Sequence, residues 1–238
     1  MIIAIPSKGR AGKTTSQKVL DTATFFVPEM EIAAYLSAGI KNVVPVPMEV
    51  RGITKTRNWI LKNCGEIEVV FVDDDLKIQG FIEFMERNGK QKRLDGAEWM
   101  GEFRKLFELC EGLGYKIWGV STNGARRAVY PYKPILFYSY VTASCMGIIN
   151  DGEFYFDESF EVKEDYELCL RHIKEKGGIL AARYLFWENH HWGTPGGCKD
   201  YRTQGMEADA IKRLIKMYPG MIRKIKRGGS EYSIELDF

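Results

Sequence analysis

The chain has 238 residues, of which 45% are hydrophobic and 28% charged, with a formal net charge of +2. This length suffices for one large α/β domain with a sizeable core, and the composition excludes a disordered or fibrous chain. The longest apolar runs are strand-sized and end in charge, far short of the roughly 20 residues of a membrane span, so a membrane is not among the expected partners.

The opening Met1-Ile2-Ile3-Ala4-Ile5-Pro6 is too short for a signal peptide, lacks a basic leader, and reads as a first strand. Further strand-like runs follow at Val43–Val46, Val69–Val72, Tyr115–Val120, Ile135–Val141 and Ile179–Tyr184. Between Val43–Val46 and Val69–Val72, Thr54–Asn63 starts on an N-cap type residue and stops before Gly65, predicting a short helix that carries Arg57. Glu98–Cys110 is a longer helix, with Trp99, Phe103, Leu106, Phe107 and Cys110 on one core-facing stripe and Gly112 and Gly114 as stops. Gly147–Asp157 is rich in turn residues, and Glu161–Lys176 then reads as a helix, acidic in its first turn and basic in its last.

A loop-like stretch, Gly193–Gly205, precedes C-terminal helices, and Lys212–Arg227 holds seven Lys/Arg and no acid in sixteen residues. Strands alternating with helices predict a Rossmann-like, mainly parallel sheet flanked by helices, with a C-terminal basic helical segment. Residues 1–192 are expected to form the sheet domain, and 193–238 a loop and basic helical extension of it. Cys64, Cys110, Cys145, Cys169 and Cys198 are scattered without a C-x-x-C pair, which suits a reducing cytoplasm.

The chemistry concentrates where Val69-Val70-Phe71-Val72 runs into Asp73-Asp74-Asp75. Adjacent carboxylates repel unless a positive charge sits among them, and hard oxygen ligands suit Mg2+ or Mn2+. Strand alternation would turn Asp73 and Asp75 to one pocket and Asp74 away. A second acidic pair, Glu164-Asp165, stands at a helix start, where the dipole stabilises charge. Glu188-Asn189-His190-His191-Trp192 holds two of the three histidines, and imidazole is a metal ligand.

Four segments in this order resemble GT-A glycosyltransferases, in particular the phage TET/JBP-associated group: Ile2–Arg10 (I-I-A-I-P-S-K-G-R), Gly52–Asn58 (G-I-T-K-T-R-N), Val69–Leu76 (V-V-F-V-D-D-D-L) and Glu164–Leu168 (E-D-Y-E-L). The resemblance spans residues 1 to about 192 and implies a GT-A-like fold and a nucleotide-sugar donor, in the first instance a UDP-sugar. It places the donor against Pro6, Ser7, Arg10, Arg57, Asp73 and Asp74. It assigns Mn2+ or Mg2+ to Asp73 and Asp75, completed by His190 or His191, and makes Asp165, ahead of Glu164, the general base.

The same resemblance implies a hydroxymethylpyrimidine in phage DNA as acceptor. Lys212–Arg227 suits phosphate contacts, and Tyr130, Tyr132, Tyr138 and Tyr140 with Arg126 and Arg127 can line an acceptor groove. Packing within a core strand explains the alternating tyrosines equally well. Two alternatives stand beside this reading. Lys8-Gly9-Arg10-Ala11-Gly12-Lys13-Thr14-Thr15 resembles a P-loop of an ATPase, although Ser7 and Arg10 occupy positions where that pattern wants Gly. A non-catalytic nucleotide- or DNA-binding module is the other.

Overall fold

Near-continuous apolar runs such as Val69–Val72, with no polar face, belong in a sheet covered on both sides, and that is where they lie. The structure, a computed structural model, describes residues 1–84, 91–121, 133–189, 202–227 and 230–237. Its elements in chain order are β1 (Ile2–Pro6), β2 (Thr24–Pro28), α1 (Ile32–Ser37), β3 (Val43–Val46), α2 (Ile53–Asn63), β4 (Glu68–Val72), β5 (Leu76–Phe84) and β6 (Gln91–Arg93). They continue with α3 (Gly96–Leu113), β7 (Ile117–Ser121), β8 (Ile135–Leu136), β9 (Cys145–Ile149), α4 (Glu164–Lys176), β10 (Leu180–Asn189), α5 (Gln204–Met217), β11 (Ile222–Arg227) and β12 (Ser230–Leu236).

Among the described residues the main sheet has ten strands in the order β3-β2-β1-β4-β9-β7-β10-β5-β6, with β8 beside β10. Only β9, β5 and β8 run against the common direction, so the sheet is mixed but mainly parallel. From β1 the chain winds outward to β2 and β3, then returns across β1 to β4. The reversal places a topological switch point at the carboxyl ends of β1 and β4, where open α/β sheets bind ligands.

One face of the sheet is covered by α3, whose Trp99, Phe103, Leu106, Phe107 and Cys110 pack with Ile3, Ile5 and Trp118. Each of these fully buried large side chains contributes about 1.5–3 kcal/mol by leaving water. α3 is delimited as its sequence dictates, by a reciprocal capping box between Asp95 and Glu98 and by left-handed Gly114. The opposite face takes α2, through Ile60 and Leu61, and α4, through Leu168, Cys169 and Ile173.

Several elements depart from the sequence reading. Gly147, read as the start of a turn-rich segment, sits in the central strand β9, where an added Cβ would lie 2.0 Å from the Trp118 ring. It is a glycine of close approach rather than of a turn. The expected strand Ile135–Val141 shortens to β8, since the chain bends after Leu136 and Phe137 O accepts instead from the Ile179 N–H (2.7 Å). The basic C-terminal stretch is helical only to Met217, and from Ile222 it becomes the antiparallel pair β11–β12. Ala210, Ile211 and Leu214 of α5, with Ile222 and Ile234 of this pair, share a buried cluster with Phe160, Val162 and Leu170.

Candidate active site

β1 and β4 deliver their chain ends side by side at the switch point, so the Ser7 loop meets the Asp73–Asp75 turn. The loop wraps this turn by hydrogen bonds. The Thr15 N–H donates to Asp74 O (3.0 Å), and Ser16 Oγ donates to Asp73 O (2.7 Å) while accepting from the Leu76 N–H (3.0 Å). After this wrap the chain makes only a three-residue 3-10 turn, Ser16–Lys18, and Lys13 is exposed. A phosphate-cradling P-loop needs the N-terminus of an α-helix at that point, and none follows here. The ATPase alternative therefore lacks its structural basis.

The three aspartates do not divide as strict alternation suggests, because the backbone turns at Asp74 and Asp75. Asp74 is buried, 4% exposed, with Oδ2 accepting from Ser7 Oγ and Oδ1 from Arg10 Nη1 (2.5 Å). Asp75 Oδ2 reaches the same Arg10 nitrogen at 3.3 Å. Asp73 Oδ1 lies 4.0 Å from Arg57 Nη2. Burial pushes the Asp73 carboxyl up to about 7, with Arg57 opposing the shift and the charges of Asp75 and Asp74 adding to it. Asp74 is likewise raised by burial, against the hydrogen bond from Ser7 and the charge of Arg10.

Arg57, carried by α2 and only 5% exposed, connects this turn to the second acidic pair. Its Nη1 donates to Glu164 Oε1 (2.6 Å), its Nη2 to Ala143 O (3.3 Å), and its guanidinium lies 5.5 Å from the Phe156 ring centre. Burial and the adjacent Asp165 charge raise Glu164 to about 7 against the pull of Arg57. Asp165 sits beside it, half-buried, accepting from the Ala143 N–H at Oδ2 (3.4 Å) and from the Tyr166 N–H at Oδ1 (2.9 Å). Ala143 thus stands between base candidate and arginine, offering its N–H to one and its carbonyl to the other.

Every expected site residue among the described ones, namely Pro6, Ser7, Arg10, Arg57, Asp73, Asp74, Asp75, Glu164 and Asp165, lies along this one edge. Pro6 closes β1, and the Ser7 and Arg10 side chains are both spent on the acidic turn. His190 and His191 lie outside the described residues, as do Arg126, Arg127, Tyr130 and Tyr132. Sequence reasoning missed Tyr35, whose hydroxyl pairs with Ser7 Oγ (2.6 Å) and accepts from the Arg10 N–H (3.2 Å). Nothing local marks it, since α1 brings it from elsewhere in the chain.

Among the described residues no three His, Cys, Asp or Glu side chains cluster to hold a metal ion. The carboxylates nonetheless have the character of a cation site. Asp75 Oδ1 is buried without a hydrogen-bond partner among the described residues, and the guanidiniums of Arg10 and Arg57 face Asp73, Asp74, Asp75 and Glu164. Negative charge in such surplus fits a hard divalent ion.

On the side of Asp73 away from Ser7, β7 ends at Ser121 on the same edge, and β10 bulges between Ala182 and Phe186. A cavity of about 240 Å³ opens there, lined by Ser121, Ser139, Tyr140, Val141 and Arg183. Tyr140 packs on Tyr166 at 4.4 Å between ring centres, so the cavity wall leads to the neighbour of Asp165. Tyr138, its expected companion, is exposed at the surface.

No protein-family model and no curated protein matches the chain in sequence. Solved structures do match in fold. The S. aureus TarS 1–349 structure in complex with UDP-GlcNAc aligns over 92% of this chain at 12% identity with a TM-score of 0.54, and this chain spans 66% of its length. Glucosyl-3-phosphoglycerate synthase from Mycobacterium tuberculosis, in complex with phosphoglyceric acid, aligns over 99% of this chain and 86% of its own at 11% identity and a TM-score of 0.53. The same enzyme with Mn2+, UDP and glucosyl-3-phosphoglycerate aligns over the same shares at 13% identity and a TM-score of 0.52. At these identities the likeness is one of fold alone, that of a mainly parallel sheet flanked by helices.

Proposed function

We propose that this chain is a metal-dependent glycosyltransferase that moves a sugar from a nucleotide sugar, in the first instance a UDP-sugar, to a hydroxyl acceptor. The observation that carries the reading is Arg57, which lies between the acidic strand end at Asp73 and the acidic helix start at Glu164 and Asp165. Solved structures of the same fold hold UDP-GlcNAc, or UDP with Mn2+, which supports the donor class.

Asp75 and Asp73 would hold Mn2+ or Mg2+, which when bound supplies Lewis-acid neutralisation of the donor's diphosphate. Asp74 and Ser7 keep the turn rigid and fix Arg10, while Arg57 presents positive charge on the donor side. Asp165 removes the acceptor's proton, since Glu164 is already engaged by Arg57. The cavity between Ser121, Tyr140 and Arg183, whose Tyr140 packs on the Tyr166 that follows Asp165, receives the acceptor. A hydroxymethylpyrimidine of DNA is the acceptor class we put forward, on the resemblance of four segments to the TET/JBP-associated group and on exposed Lys212, Lys216, Arg223 and Lys224.

Asp75→Ala should abolish Mn2+-dependent UDP-sugar binding in calorimetry. Asp165→Ala should keep donor binding and slow transfer by about 10²–10⁴-fold. Mass spectrometry of hydroxymethylcytosine and hydroxymethyluracil DNA incubated with mixed nucleotide sugars identifies acceptor and sugar together. Near-normal transfer by either variant removes that residue from its role.

A further inference from the structure

Lys163, the residue before Glu164, has φ 62° and ψ 20°, and among the described residues it alone is a non-glycine with positive φ. It occupies the N-cap position of α4, where Ser, Thr, Asp or Asn in extended backbone is usual, and its side chain caps nothing. A left-handed lysine is unfavourable because Cβ crowds the following carbonyl, and such strain persists only when the surroundings hold it. The holding contacts are visible. Lys163 Nζ lies 3.2 Å from Glu207 Oε2 and 4.5 Å from the centre of the Tyr166 ring, and both charged side chains are only 12% exposed.

Glu207 belongs to the first turn of α5, and its other oxygen, Oε1, accepts from Arg202. The neighbouring cations keep its carboxyl below the usual range despite burial. The consequence of the strained turn is local and directional. The Lys163 carbonyl accepts the opening bond of α4 from the Glu167 N–H (3.1 Å), and the next two residues deliver Glu164 to Arg57 and Asp165 to Ala143. Lys163 thus turns the chain between Val162, buried in the cluster under α5, and Glu164, paired with Arg57 at the sheet edge.

We infer that Lys163 is a positioning residue for Asp165, held in its left-handed conformation by Glu207, so that the C-terminal helix α5 sets the geometry of the proposed base. This rests on the glycosyltransferase reading for its catalytic consequence but not for its structural one. Two measurements on the full chain separate them. In Mn2+-dependent hydrolysis of UDP-glucose and UDP-N-acetylglucosamine, Lys163→Ala and Glu207→Gln should lower kcat about tenfold or more with donor KM unchanged. Lys163→Gly, which adopts positive φ freely, should recover most of that loss, and adding Glu207→Gln to it should cost nothing further.

In hydrogen exchange, amides of the first turn of α4 should exchange faster in Lys163→Ala and Glu207→Gln than in the unmodified chain, and at near-native rates in Lys163→Gly. Unaltered exchange in Lys163→Ala, or a Lys163→Gly variant as impaired as Lys163→Ala, overturns the inference. Absence of donor hydrolysis by the unmodified chain, with the exchange pattern as described, overturns the enzyme reading and leaves the positioning device standing.

Discussion

Glu164 and Asp73 are both carboxyls lifted to about 7 mainly by burial, and Arg57 restrains both. A folded carboxyl with a raised pKa holds its proton where the unfolded chain has released it, so its contribution to stability falls as pH rises from about 4.5 to about 7. Glu164→Gln, neutral throughout, should flatten the stability profile over that window in urea titrations at successive pH values. Arg57→Ala should destabilise by about 3–5 kcal/mol at pH 8 and by less at pH 5, because only at the higher pH is a buried charge left alone. The aspartate triplet and the Glu164-Asp165 pair were legible in the sequence because adjacent carboxylates demand a physical reason. Ala143 and Tyr35 were not, since a backbone amide and a hydroxyl carry no mark of the arginine or serine they will meet.

At the scale of elements, periodicity served where one face repeats and failed where packing is local. α3 and α4 emerged with bounds within a few residues, because their apolar stripes are long and their stops are glycines. β9 was hidden because Gly147, a turn residue by composition, is there to admit the Trp118 indole. Gly147→Ala should therefore destabilise by about 1–3 kcal/mol or more, the cost of overpacking, whereas Gly101→Ala, with open space around its Cβ on α3, should be neutral or stabilising. Thermal unfolding of the two variants tests the contrast. β11 was taken for helix because Ile222 and Ile225 stand three residues apart, a helical spacing, and only the pairing with β12 decides otherwise.

For the whole molecule, the third histidine matters more to folding than its sequence setting suggests. His172 on α4 is fully buried, accepts the Lys116 N–H at Nε2 (2.9 Å) and donates from Nδ1 to Gly178 O (2.8 Å), so it joins α4 to the segments entering β7 and β10. Burial lowers its pKa to about 4, which means the unfolded chain binds the proton first, and the stability this site confers is lost as pH falls from 6.5 to about 4. The loss amounts to about 3 kcal/mol at most. His172→Gln should remove this acid sensitivity while the opposite trend from Glu164 remains, and comparing the two denaturation profiles isolates each group.

The way the chain crosses the sheet also allots its halves to different tasks. Ser7, Arg10, Arg57 and the aspartate turn all come from the first third of the sequence, while Ser121, Tyr140, Asp165 and Arg183 come from later segments. The two groups meet along a seam between β4 and β9, bridged by Arg57 on one bank and Ala143 on the other. On the proposed reading this division separates donor from acceptor, so substitutions among the later residues should change which acceptor is used and leave donor binding intact.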